Sequence, residues 1–248
     1  MTLPFDLGWG TAAFMAAAIL LAAFVRGYSG FGYSALVIAA SSLVMNPLHI
    51  VFTVVIGEAV MTLQSWNGIG REVDWRRIRW LMAGAAVGMP VGIAVLTRVP
   101  EDWARALVSI YVLVMCLVLL TGWRMQAEAG SGPTLGIGVI SGLANAPGMG
   151  GLPVAAFFAA QPMAAPVFRA TLAAYFPFLD LYSTPLYWWG GMLTWDSFLA
   201  GVLILPLVFL GNWLGGRHFF GSDPQEFRRM AIVLLATLAT LGLLKAVL

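Results

Sequence analysis

The chain reads as an all-α polytopic membrane protein made of two pseudo-symmetric inverted repeats, each with a glycine-broken hairpin element followed by three longer helices. Three observations predict this. Hydrophobic residues make up 60% of the 248 residues and charged residues only 10%, with a mean hydropathy of +0.89; a soluble chain of this size would need far more polar surface. The charges are unevenly spaced: none lies between Asp6 and Arg26, Arg26 and Glu58, Glu128 and Arg169, or Asp196 and Arg217. Such gaps are long enough for helices that cross a hydrocarbon core of about 30 Å. Finally, a weak similarity recurs at a period of about 120 residues, the internal symmetry expected of duplicated membrane halves.

In chain order, apolar segments fall at 9–26, 31–45, 48–66, 80–97, 104–122, 134–146, 151–160, 165–189, 197–215 and 230–247. The first ends at Arg26, and the second opens after a glycine-rich break and is too short for a perpendicular crossing at 1.5 Å per residue. Segment 48–66 follows Asn46-Pro47 and holds Glu58, and 80–97 follows the arginines Arg71, Arg76, Arg77 and Arg79. Segment 104–122 follows Pro100-Glu101-Asp102-Trp103 and contains Cys116, the single cysteine, which excludes an intrachain disulfide. Segments 134–146 and 151–160 are two short pieces separated by a second break. Segment 165–189 ends in Tyr187-Trp188-Trp189, expected to anchor a helix at the headgroup level. Segments 197–215 and 230–247 follow Thr194-Trp195 and Pro224-Gln225-Glu226-Phe227.

The repeat pairs Ser29-Gly-Phe-Gly32 with Pro147-Gly-Met-Gly150, Asn46-Pro47 with Gln161-Pro162, Asp74-Trp75 with Thr194-Trp195, and Pro100–Trp103 with Pro224–Phe227, in the same order. The halves then run over 1–122 and 134–248, with a short linker at 123–133. Three crossings plus a hairpin that enters and leaves on one side give odd parity, so the second half is inverted. The arginine-rich stretches 67–79 and 217–229 both belong in the cytoplasm, and both termini outside it. Crossings number six plus two re-entrant elements, or ten if the hairpins span fully. Nothing at the N-terminus resembles a cleavable signal, because no basic residue precedes the first apolar stretch. The net charge of +2 does not point to nucleic acid, since the arginines cluster at segment ends and form no basic face.

The candidate chemistry lies at the breaks. Arg26-Gly-Tyr-Ser-Gly-Phe-Gly32 and Asn145-Ala-Pro-Gly-Met-Gly-Gly151 interrupt helices at membrane depth, where free backbone groups must line protein or water. Helix starts after each loop present N–H groups with partial positive charge, so an anion is the natural guest. Candidate substrate-binding residues are Arg26, Gly27, Ser29, Gly30, Gly32, Asn145, Gly148, Gly150, Gly151 and Arg169. Glu58, inside an apolar segment, and Asp180 must be paired or protonatable; they are candidates for proton coupling, with a structural pair to an arginine as the other reading of Glu58. His49 and His218 stand at helix ends without the neighbours a metal site requires. No metal, cofactor or enzymatic activity is expected, and no serine has a supporting base for covalent catalysis.

The two glycine-rich runs resemble the two signatures of the sulfite exporter family, TauE/SafE, and residues 11–246 fit its general pattern. The second departs from it at Asn145-Ala-Pro147, where family members more often continue with a Gly-Ile-Gly-like run. The resemblance implies a carrier of the bacterial inner membrane for small sulfur anions such as sulfite, thiosulfate or organosulfonates. It carries over Arg26, Gly30 and Gly32 from the first signature and Gly148, Gly150 and Gly151 from the second. The expected function is a secondary transporter that exports such an anion by alternating access at facing glycine loops. Its partners are the small anion, the lipid bilayer and, for coupling, protons. An anion or weak-acid channel is the alternative, and the near absence of long hydrophilic loops argues against a scaffold.

Overall fold

A computed structural model describes residues 4–65, 72–218 and 224–247. After a short 3-10 turn at Pro4–Asp6, its elements are α1 (Trp9–Ser29), α2 (Tyr33–Ser41), α3 (Val51–Ser65), α4 (Trp75–Leu96), α5 (Glu101–Leu120), α6 (Ser131–Ala144), α7 (Gly151–Ala159), α8 (Ala165–Trp189), α9 (Trp195–Leu203), α10 (Leu205–His218) and α11 (Pro224–Val247). The fold is all-α among the described residues. Among the described residues three helices, α1, α4 and α5, are long and apolar enough to cross a membrane, and the bent pair α9–α10 makes a fourth where it is counted as one span. Their outer faces carry exposed Val87, Val91, Leu117 and Leu203, which suits hydrocarbon and not water. Arg71 lies outside the described residues, as do the side chains of His218, Arg228 and Arg229.

The helix starts follow local chemistry. Asp74 caps α4 by accepting the Arg77 N–H at 3.0 Å, and Thr194 and Ser197 form a reciprocal capping box at α9. Where one helix was expected over 197–215, the chain bends by 47° between α9 and α10. Pro206 is the cause: it has no N–H to give Val202, and its ring disfavours helical geometry at the residue before it. Pro90 inside α4 likewise leaves the Ala86 carbonyl without its helical donor. The hydroxyl of Tyr182 on α8 supplies one at 2.9 Å, so the proline defect becomes a tie between two helices.

Two close crossings organise the array: α1 on α10 and α4 on α6. Both are made through glycine. A Cβ at Gly88 would collide with the Val139 carbonyl of α6, and one at Gly215 with the Phe24 carbonyl of α1, so backbone meets backbone at both crossings. In addition α5 packs on α11 and α3 on α8. The short α2 is enclosed, every one of its residues being buried.

The loops gather at two ends. At one, Arg77 is buried and pairs with Asp74 at 3.0 Å and with Glu128 of the inter-half linker at 2.8 Å, while Met125 N–H reaches the Ala160 carbonyl. At the other, Phe5 stacks on His49 and Lys245 donates to the Leu43 carbonyl. Helices α3 and α8 carry the buried carboxylates Glu58 and Asp180, and α1 the buried Arg26.

Candidate functional site

The first break forms because α1 ends on Gly30. Its φ of 84° lies in the left-handed region, and its N–H caps the helix on the Arg26 carbonyl at 2.6 Å. Gly32, at φ 94°, turns the chain again so that α2 starts at Tyr33. Ser29 Oγ closes the loop locally, lying 2.8 Å from both the Val25 and Phe31 carbonyls, which share its one proton. Gly27 sits against the Asn212 carbonyl of α10, with no room for a Cβ. Residues 29–32 are half-buried, and Arg169 of α8 is exposed beside them. A Cβ on Gly30 would stand 3.9 Å from Arg169 Cγ and 4.0 Å from its Nε, so this arginine lies over the loop.

The second break is held differently. Asn145 Oδ1 accepts the Gly150 N–H at 3.2 Å, and Asn145 Nδ2 points at the Met89 sulfur at 3.7 Å. Ser141 Oγ lies 2.6 Å from the Gly150 carbonyl and 2.7 Å from the Tyr175 hydroxyl, while Tyr111 donates to the Met149 carbonyl at 3.2 Å. Gly148 takes φ 78°. Every residue from Asn145 to Gly150 is buried, so this loop is sealed where the first is accessible. Asn145→Ala leaves the buried Gly150 N–H without an acceptor, a cost of about 1–3 kcal/mol. The expected result is a lower melting temperature for the purified protein; an unchanged one would mean that another acceptor reaches Gly150.

Between the loops lies a buried polar cluster. Arg26 Nη1 is 3.2 Å from Glu58 Oε1, with the side chains 6% and 10% exposed, and Arg26 Nη2 donates to Thr62 Oγ1 at 3.2 Å. The guanidinium lies over the Phe176 ring of α8, 5.1 Å from its centroid, a favourable cation–π placement. The same ring faces Gly151, where a Cβ would come within 2.5 Å of Phe176 Cε1. One aromatic side chain thus touches both the arginine of the first signature and the glycine that ends the second. Ser34 of α2, also buried, faces Glu58. Asp180 is also buried; it interacts electrostatically with Glu58 and Arg26, and its Oδ2 has no hydrogen-bond partner.

Of the residues singled out in the sequence, Arg26 and Glu58 form an ion pair, Asp180 is buried within electrostatic reach of both, and Arg169 lies beside Gly30 at the accessible mouth. On α3, about one and two-thirds turns beyond Glu58, Gln64 ties that helix to α10 through the Phe209 carbonyl and Asn212. The sequence reading did not select Phe176, Thr62, Tyr33 or Tyr175. Tyr187 is not the interfacial anchor expected of it: it is fully buried and donates to the Asn145 carbonyl, whereas Trp188 and Trp189 are 73% and 89% exposed. Successive helix residues are turned by about 100°, so three aromatics in a row cannot share one face.

No curated protein and no solved structure matched the chain. The family model described as sulfite exporter TauE/SafE matches residues 15–241. That span takes in both glycine loops, the buried arginine and its carboxylates, and all but the ends of the helical array. The chain belongs to the sulfite exporter TauE/SafE family.

Proposed function

We propose that the protein is a secondary transporter that exports a small sulfur anion, sulfite or an organosulfonate, by alternating access at its two glycine loops. Membership of the family makes it a membrane transporter and not an enzyme; the anion and the mechanism are the proposal. The observation that carries it is the unequal exposure of the loops. The first is half-buried with Arg169 over it, the second is wholly buried, and Arg26 and Phe176 stand between them. That inequality is the arrangement expected of a carrier open to one side.

In this reading Arg26 and Arg169 attract the anion, and backbone around Gly30, Gly32, Gly148, Gly150 and Gly151 surrounds it. Gly27, Ser29 and Asn145 hold the loops in shape, and Glu58 and Asp180 carry protons for coupling. The duplicated, inverted halves are part of the same proposal. They are supported by the reciprocal crossings, in which, with the bent pair α9–α10 counted as one, the first helix of each half packs against the fourth of the other, α1 on α10 and α6 on α4. They are supported too by the matching short helices α2 and α7, nine residues each.

The test is thermal stabilisation of the purified protein by sulfite, thiosulfate, sulfoacetate, taurine, acetate and chloride. A ligand that binds only the folded state stabilises it, by about 2.7 kcal/mol at a hundredfold excess over Kd. Selective stabilisation by one sulfur anion, followed by saturable counterflow in proteoliposomes, is the expected result. Conductance without counterflow would replace the carrier with a channel.

A further inference from the structure

The anion-carrier reading raises a question of charge balance, and the inference here rests on that reading. Three buried ionisable side chains from three helices lie within electrostatic reach of one another: Arg26 of α1, Glu58 of α3 and Asp180 of α8. Glu58 holds Arg26 at 3.2 Å, Thr62 takes the other guanidinium nitrogen, and the Phe176 ring covers its face. Asp180 Oδ2 is buried with no hydrogen-bond partner, close enough to interact with both Glu58 and Arg26. The other groups that face Glu58 are Tyr33 and Ser34 of α2 and Tyr187 of α8. On α9 and α10, which also pack against α3, the ionisable Asp196 and Arg217 stand at the helix ends, with Arg217 over Trp213.

Fully ionised, the cluster sets two negative charges against one positive, and an interior of low dielectric tolerates charge only when it is balanced. An anion that pairs with Arg26 in place of Glu58 releases the Glu58 carboxylate. Released as a carboxylate, Glu58 would stand beside the anion and beside Asp180 as a like charge. Released as a neutral acid, it would not.

We propose that the bound anion displaces Glu58 from Arg26 and that one proton enters the Glu58–Asp180 pair with each monovalent anion. The proton comes from water at the accessible mouth and forms an O–H bond on a carboxylate oxygen. The arginine–glutamate ion pair is exchanged for an arginine–anion pair, and the net charge of the cluster is unchanged. Because opposite charges entering one cluster favour each other, anion and proton travel in the same direction. The loaded and empty carriers then carry equal charge, so the membrane potential does not act on the cycle. Direction follows the product of the two gradients. With the inside more alkaline by about one pH unit, export runs only when the inside anion excess exceeds about tenfold, the point at which the two gradients cancel.

The experiment uses the full chain in proteoliposomes with isethionate, a monovalent sulfonate whose parent acid is too strong to carry a proton itself. Internal pH and labelled isethionate are followed together under potassium–valinomycin potentials. One proton is expected to accumulate per isethionate, at a rate that does not respond to the potential. In the double variant Glu58→Gln with Asp180→Asn, isethionate should move without protons and distribute with the potential, about tenfold per ~59 mV. Isethionate flux through the parent without protons, or flux that follows the potential, overturns this proposal and leaves the carrier reading standing. Neither binding nor flux of isethionate or sulfite removes the carrier reading and this proposal with it. If the double variant does not fold, the stoichiometry and potential dependence of the parent decide alone.

Discussion

Gly88→Leu is expected to leave no monodisperse protein after extraction from the membrane. At this position α4 lies backbone to backbone on α6. A Cβ would overlap the Val139 carbonyl and stand 3.0 Å from the Leu143 N. One turn to either side, Gly84 meets the Leu135 carbonyl and Gly92 the Leu143 carbonyl, and from the facing helix Gly142 meets Ala85 O at 2.6 Å. None of these neighbours is a side chain that could turn away. The helices must part along the whole crossing, and the loss exceeds the roughly 4 kcal/mol that marks an exceptional substitution. Gly136→Leu on the same α6 is the control, because nothing lies within 4 Å of a Cβ there. Size-exclusion profiles of the two variants check the prediction: a parent-like peak for Gly88→Leu would contradict the crossing itself.

The second large effect is expected at Arg26. Arg26→Gln removes the guanidinium that faces Glu58 at 3.2 Å, the donor to Thr62 and the cation over Phe176. A carboxylate stripped of its buried partner costs about 3–5 kcal/mol, so the melting temperature should fall sharply. Adding Glu58→Gln removes the stranded charge and should recover much of that loss. Anion binding should stay lost in both variants. Two results would contradict this account: an unchanged melt for the single variant, which would deny the ion pair its structural role, or anion binding regained in the double variant, which would take Arg26 out of the site.

Much of the helical array was legible because charge is expensive in hydrocarbon and marks where segments end. The segment expected at 165–189 coincides with α8, and 104–122 is α5 displaced by a few residues. Both glycine breaks separate helices where the sequence placed them. The bend at Ile204 was missed although Pro206 announces it, because an unbroken apolar run hides a proline that costs only one backbone bond. The partner of Glu58 was offered as a choice between a proton site and an arginine pair; the choice needs the facing surfaces of α1 and α3, which no local pattern encodes. Phe176 gave no signal at all, since a phenylalanine in an apolar helix is indistinguishable from its lipid-facing neighbours until the two glycine loops are brought against it.

The reciprocal crossings also set an order of assembly. Helix α4 ends at Leu96 and its partner α6 begins at Ser131, but α1 ends at Ser29 and α10 begins only at Leu205. At a synthesis rate of about 5–20 residues per second, α1 waits about 9–35 s for the surface it packs on. Through that interval the Leu20 and Phe24 carbonyls that Gly211 and Gly215 will cover face lipid or the insertion machinery. The α4–α6 pair can lock while the rest of the chain is still emerging. The first long helix of this sequence is therefore among the last to complete its packing, and a chain stopped short of Leu205 keeps the contacts of α1 with α2 and α3 but lacks the helix of its closest crossing.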